Sequence, residues 1–280
     1  MSRLRFTILG CGSSGGVPRV GGDWGFADPD EPRNRRTRSS VLVEKVSAEG
    51  TTTLLIDTSP DLREQLLRAE VKRLDAVFYT HDHADQSHGI DDLRAIAYRM
   101  RAQIPTFMDP HTKDNVWERF RYCFELPEGR VHPPILSLQT LLKDGEVHSV
   151  EGPGGRIDVG VIEASHGPTP TLVFTFDGRA AYSPDVWDIP HGGLARLQGF
   201  DLWICDALRY NDHPTHAHAD KTLSWLARTR TRRCVMTNLH IDMDYETLRS
   251  ELPPIAEPAW DGMVVELDAR TSDGQEVRNG

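Results

Sequence analysis

Three histidines fall within eight residues in the segment YTHDHADQSHG, residues 79–89. His81, His83 and Asp85 alternate there, and along an extended chain alternate side chains point the same way. The segment follows DAVFYT (75–80), a continuous apolar run that reads as a strand buried on both faces. The spacing therefore delivers three ligand-type side chains to the carboxyl end of a central strand, where α/β sheets place their ligand sites. Imidazole and carboxylate together suit zinc, manganese or iron better than calcium. An ion of that kind lowers the pKa of a bound water from roughly 15.7 toward about 7, so the chemistry on offer is hydrolysis.

The same pattern recurs at a distance. His166 ends an apolar stretch in IEASHGP, Asp185 follows AYSP, and His240 closes MTNLH. Each is a polar ligand type at the lip of an apolar strand. The segment NDHPTHAHADKTL (211–223) adds His213, His216 and His218 just before a helix. Two arginine-rich runs stand out. PRNRRTR (32–38) lies in a long loop, and the guanidinium forks of Arg35 and Arg36 suit a substrate phosphate. ARTRTRR (227–233) precedes a strand and reads as a solvated edge. Trp24, in the same long loop, is a candidate for stacking on a base or sugar.

The elements that position these groups alternate along the chain. A strand at Phe6–Leu9 breaks into the glycine-rich turn GCGSSGGVP (10–18), which matches neither a dinucleotide fingerprint nor a Walker loop. Residues 19–38 are polar, rich in glycine and proline, and without period. Strands are expected at Ser40–Val46 and Thr52–Ile56, then a helix over 61–74. After the buried strand 75–80 come a helix over 91–100, a strand at Ile104–Met108 and a helix at Lys113–Phe124. Shorter strands follow at Ile157–Ala164, Thr171–Phe176 and Ala180–Tyr182, the last two joined by an Asp177–Gly178 hairpin turn. The final third alternates strand Leu202–Cys205, helix Asp220–Thr229, strand Cys234–Thr237, helix Asp244–Leu252 and strand Met263–Leu267. Strand-rich stretches and helices in both halves predict two sheets face to face with helices outside, a four-layer α/β/β/α sandwich. One domain is expected over residues 1–268, with a polar tail at 269–280.

Composition narrows the partners. The 280 residues carry 32 lysines and arginines against 42 acids, a formal charge of −10. A protein that coats nucleic acid needs a basic face, so long nucleic acid is an unlikely partner and a small anionic substrate held locally is favoured. The four cysteines, Cys11, Cys123, Cys205 and Cys234, form no C-x-x-C pair and read as reduced thiols. The opening MSRLRFTILG has too short an apolar run for a secretory signal, and no segment is long and apolar enough to span a membrane. The expectation is a cytoplasmic protein without membrane contact; a homodimer is compatible with it.

In combination, YTHDHADQSHG, SHGP, YSPDV and TNLHIDMDY resemble the ordered motifs of the metallo-β-lactamase superfamily. LGCGSSGGVP resembles the opening of its phosphodiesterase branch, that of the PhnP-like cyclic phosphodiesterases, with the tRNA 3′-processing endonucleases close by. The resemblance spans Phe6 to about Leu267 and implies two divalent metal ions, zinc or manganese. By position, His81, His83 and His166 would hold one ion, Asp85 and His240 the other, with Asp185 bridging. The family pattern H-x-H-x-D-H ends here in Gln86, a neutral and weaker ligand than imidazole, so the second site is expected to be weak or to recruit His88. His216 aligns with the family's catalytic histidine, with His218 as the near alternative. A hydroxide held beside Asp85 and Asp185 would attack phosphorus. The amino-terminal cysteine cluster that binds a structural zinc in PhnP relatives has no counterpart in GDWGFADPDEPRN, and no third metal is expected. The resemblance thus implies hydrolysis of small cyclic or nucleotide-like phosphodiesters. The alternatives it leaves are tRNA 3′-end cleavage and a non-catalytic nucleotide- or metal-binding protein.

Overall fold

A computed structural model describes residues 2–269 except 127 and 130. Most of the expected polar tail lies outside the described residues. Two seven-stranded sheets carry the fold. The first runs Val264–Asp268 (β14), Arg3–Gly10 (β1), Ser40–Val46 (β2), Thr51–Ile56 (β3), Ala76–Phe78 (β4), Ile104–Phe107 (β5) and Leu136–Leu138 (β6). The second runs Ala256–Pro258 (β13), Cys234–Thr237 (β12), Leu202–Asp206 (β11), Ala180–Ser183 (β10), Thr169–Phe176 (β9), Ile157–His166 (β8) and Val147–Val150 (β7).

Both sheets change character midway. Strands β14 to β3 pair antiparallel, and β3 to β6 pair parallel. In the second sheet β7 to β10 are antiparallel and β10 to β13 parallel. The expected hairpin joins β9 to β10, with Asp177 and Gly178 both at positive φ (48° and 62°), as a tight two-residue turn between twisted strands requires.

Alternating side chains sort into three apolar layers. Between the sheets, Phe6 and Phe78 meet Phe176 and Phe174, with ring centroids 5.7 Å and 5.5 Å apart. Outside the first sheet, Leu55 and Val77 pack under Leu62–Arg68 (α1), Arg94–Met100 (α3) and Pro110–Phe120 (α4). Outside the second, Trp203 stacks on Trp225 of Ala219–Thr229 (α6), beside His191–Arg196 (α5) and Tyr245–Glu251 (α7). The four-layer sandwich is the fold.

Several boundaries differ from the sequence reading. The helix expected over 61–74 stops at Arg68, because Glu70 takes a left-handed φ of 53° and the Val71 amide turns back to the Leu66 carbonyl. Helix α4 starts at Pro110, three residues early. Asp109 caps it by accepting from the Thr112 amide at 2.8 Å, and proline occupies the first turn. Residues 10–38 are tied to the second sheet: Gly12 bridges to both Arg38 and Leu239, and Val17 to Arg36. The close approach needs glycine, since a Cβ on Gly10 would lie 2.1 Å from the Arg38 carbonyl oxygen.

Candidate metal centre

All the chemistry-bearing residues sit at the carboxyl ends of strands or on the loops that leave them. After β4 the backbone of His81–His83 stays extended, so these two side chains emerge on one side. Asp85 does not continue the alternation: a helical turn, Ala84–Ser87 (α2), begins right after His83. The turn is held from several directions. Thr58 donates its amide to the Gln86 carbonyl at 2.7 Å, and Ser87 Oγ donates to the carbonyl of His83 at 2.8 Å. From α4, the Arg119 guanidinium clamps the Asp82 carboxylate at 2.9 Å and its carbonyl at 2.5 Å.

Two groups of ligand-type side chains converge here. Ligand atoms of His81, His83 and His166 lie within 4.8 Å of one another, as do those of His166, Asp185 and His216. Two of the imidazoles, His81 and His166, are also in the right protonation form. Thr80 donates its hydroxyl to Asp57 Oδ2 at 2.9 Å, so its oxygen must accept from His81 Nδ1, 3.0 Å away. That leaves the lone pair on Nε2, a buried atom without a hydrogen-bond partner. His166 Nδ1 faces the Thr215 carbonyl at 2.7 Å and must donate to it, again freeing Nε2. Burial, reinforced by neighbouring histidines, pushes the His81 pKa down and that of His166 to about 3, so both stay neutral. Neutral imidazoles, fixed as one tautomer by a polar partner on the far nitrogen, with an orphaned lone pair aimed at a common point, fit a divalent metal. When bound, such an ion supplies a Lewis acid and an ionised water.

Asp185 is buried, accepts from Gln86 Nε2 at 2.7 Å and Asn238 Nδ2 at 3.2 Å, and has its pKa raised first by burial. Gln86 turns its amide nitrogen to Asp185 and leaves Oε1, the ligating atom, buried without a hydrogen-bond partner. His216 Nδ1 donates to Asp206 Oδ2 at 2.9 Å and lies 3.7 Å from Asp185. Burial alone would lower its pKa, but the Asp206 charge outweighs it and lifts the value to about 9. His216 is thus an imidazolium over the neutral range.

Other expectations need correction. His240 stands outside both groups. Its Nε2 faces the Arg19 guanidinium, which takes up that lone pair, and its Nδ1 is 2.9 Å from Asp242 Oδ2. Asp85 is likewise outside them, although its charge acts on Asp185 and His216. His218 stands at the N-cap position of α6, without a side-chain capping bond, and points Nε2 toward Asp212 at 3.4 Å. His88 is exposed, with its ring against Phe120. Arg36 is 1% exposed and donates to Asn34 at 2.8 Å and to the His240 carbonyl, so it braces the loop and cannot reach a substrate. Arg35 is exposed and lies over the half-buried ring of Trp24 at 5.4 Å. Trp24 packs against Val17, Ala27 and Ile241.

Two residues escaped the sequence reading, Asp57 and Asp206. Both follow the rule that singled out His166: an acid at the lip of an apolar strand, in LLIDTSP and LWICDAL.

A two-sheet sandwich with a histidine and aspartate cluster at its strand ends is an arrangement that can hold a divalent metal. Residues 52–241 match the beta-lactamase superfamily domain, and the chain belongs to that superfamily. Within it the chain resembles a diphosphatase of the PhnP family, with 32% identity, a TM-score of 0.81 and coverage of 95% of this chain and 98% of that one. It also shares the fold of Zn²⁺-bound PqqB from Methylobacterium extorquens, at 20% identity and a TM-score of 0.69, over 94% of this chain and 100% of that one. A curated relative, an octanoyltransferase of Porphyromonas gingivalis, is 28% identical over 95% of this chain. The chain spans about half of that protein's length, 52%. Among the described residues no helix is long and apolar enough to cross a membrane.

Proposed function

We propose that this protein hydrolyses small phosphodiesters, cyclic or nucleotide-like, in a metal-dependent reaction. The observation that carries the reading is the pairing of the His81–His83–His166 cluster with a charged His216–Asp206 pair on its flank. The three histidines are the residues for one ion. Asp185, Asp85 and Gln86 are those available to a second, and His240 only if it leaves Arg19. The Asp57–Thr80 relay and the Thr215 carbonyl keep the proton on the far nitrogen of His81 and His166. Asp206 holds the proton of His216 Nδ1, so the imidazolium delivers its other proton, on Nε2, to the leaving alkoxide. Likeness to a PhnP-family diphosphatase supports attack at a doubly substituted phosphorus, whether in a phosphodiester or a diphosphate. The charge of −10 weighs against tRNA 3′-end cleavage.

Metal analysis of purified protein, combined with a panel of cyclic ribose phosphates, cyclic nucleotides, nucleotide esters and pre-tRNA, tests this. Metal-dependent turnover of a small diester is expected. A metal-free protein inert on all of them overturns the proposal. The octanoyltransferase match gives a second reading, transfer of an octanoyl group, which an octanoyl ester in the same panel separates.

A further inference from the structure

A cavity of about 300 Å³ is lined by Phe26, Arg209, Tyr210, Asn211, Asp242, Asp244 and Thr247. Two connections lead from it toward the site. Asp242 lines it and also holds His240 at 2.9 Å. Arg209 and Tyr210 lie three and four residues beyond Asp206, the partner of His216, on the same segment leaving β11.

The lining is unusual for a surface hollow. Phe26 is 81% exposed and Tyr210 40%, a costly display of aromatic surface in water. Yet the backbone under Phe26 is fixed. Its amide donates to the Ile241 carbonyl at 2.9 Å, and Gly25 packs so tightly on Ile241 that a Cβ would meet its carbonyl oxygen at 2.7 Å. Arg209 is immobilised as well, donating to the carbonyls of Asn211 at 3.2 Å and Asp212 at 2.6 Å. Two carboxylates, Asp242 and Asp244, line the cavity against one guanidinium, Arg209, so a further anionic group is disfavoured inside it. The occupant such walls select is planar, uncharged and furnished with N–H donors for the carboxylates.

We propose that this cavity receives the base of a nucleotide-like substrate, an amino-bearing nucleobase stacked on Phe26 and Tyr210, while the phosphate lies at the metal centre. The inference rests on the phosphodiesterase reading and narrows its substrate class. It moves the stacking role from Trp24, which is packed into the loop, to Phe26 two residues on.

The test is calorimetric binding of AMP and ribose 5-phosphate to the metal-loaded protein. The two ligands share the phosphate and differ by the base. Wild type is expected to prefer AMP by about 5- to 150-fold, the range of one base–aromatic stack. Phe26→Ala should reduce that preference to about 2-fold or less, and Phe26→Trp should retain it. No preference in the wild type, or an unchanged preference in Phe26→Ala, overturns the proposal. A parallel comparison of kcat/KM for an adenosine-containing and a base-free diester separates the two readings. If neither diester turns over while the AMP preference depends on Phe26, the phosphodiesterase reading falls and the base pocket stands.

Discussion

The carboxylate of Asp206 lies 2.9 Å from Nδ1 of His216, with the acid fully buried and the imidazole largely so. A buried acid is costly unless something charged pairs with it, and the imidazolium does. The pair therefore fixes both the tautomer and the charge of His216. If the imidazolium is the proton donor, His216→Ala should lose about 10²–10⁴-fold in kcat on diesters with poor alkyl leaving groups. The loss on p-nitrophenyl esters, whose leaving group needs no proton, should be far smaller. Asp206→Asn should show the same leaving-group dependence. Equal losses on both ester types would remove His216 from the role.

Thr80 connects Asp57 to His81. Thr80→Val keeps the shape but deletes the hydroxyl that accepts from His81 Nδ1. The imidazole then loses the partner that fixes its tautomer, and metal affinity should fall about 10- to 100-fold. A competition titration with a chromophoric chelator measures it. An unchanged affinity would show that the relay does not tune the ligand.

Gln86 occupies the place where the resemblance puts a histidine. Its amide nitrogen is spent on Asp185, and its oxygen has no hydrogen-bond partner. Gln86→His should raise the metal content per chain and the turnover with it, read by elemental analysis of protein loaded under saturating metal. Constant stoichiometry would mean that Gln86 does not limit the second site.

Asp244 caps α7 by accepting from the Thr247 amide at 2.9 Å and also accepts from Asn34 Nδ2 at 2.7 Å. Burial raises its pKa, but these donors win and hold it at about 2, below the ordinary 3.8. A depressed folded-state value means stabilisation that is complete above the unfolded pKa and fades as pH falls from about 4 toward 2. Asp244→Ala should cost about 1 kcal/mol at pH 7. In denaturant titrations the gap to wild type should narrow between about pH 4 and pH 2. A constant gap would assign the effect to packing.

How far the sequence was legible depended on the range of the interaction. Strand Ser40–Val46 is read with both its limits correct, because a β period and flanking turn residues are local. The helix ends near 68 and 110 were misplaced, since a left-handed Glu70 and the Asp109 cap carry weaker local signals than apolar periodicity. At the site, His81 and His83 announce themselves through alternation after a buried strand. Asp85 shows the limit of that logic, as a helical turn begins one residue before it.

The sequence by itself determined which residue types stand at the strand ends, and with them the layered fold and a chemistry based on imidazole and carboxylate. Tertiary structure decided their partners. It set His216 against Asp206, turned His240 toward Arg19 and Asp242, buried Arg36 as a brace, and left Phe26 in solvent. Ligand type follows from side-chain chemistry, which a single residue carries. Charge state, tautomer and access follow from which groups the fold brings within about 3 Å, a distance that residues 10 to 200 positions apart cannot encode locally.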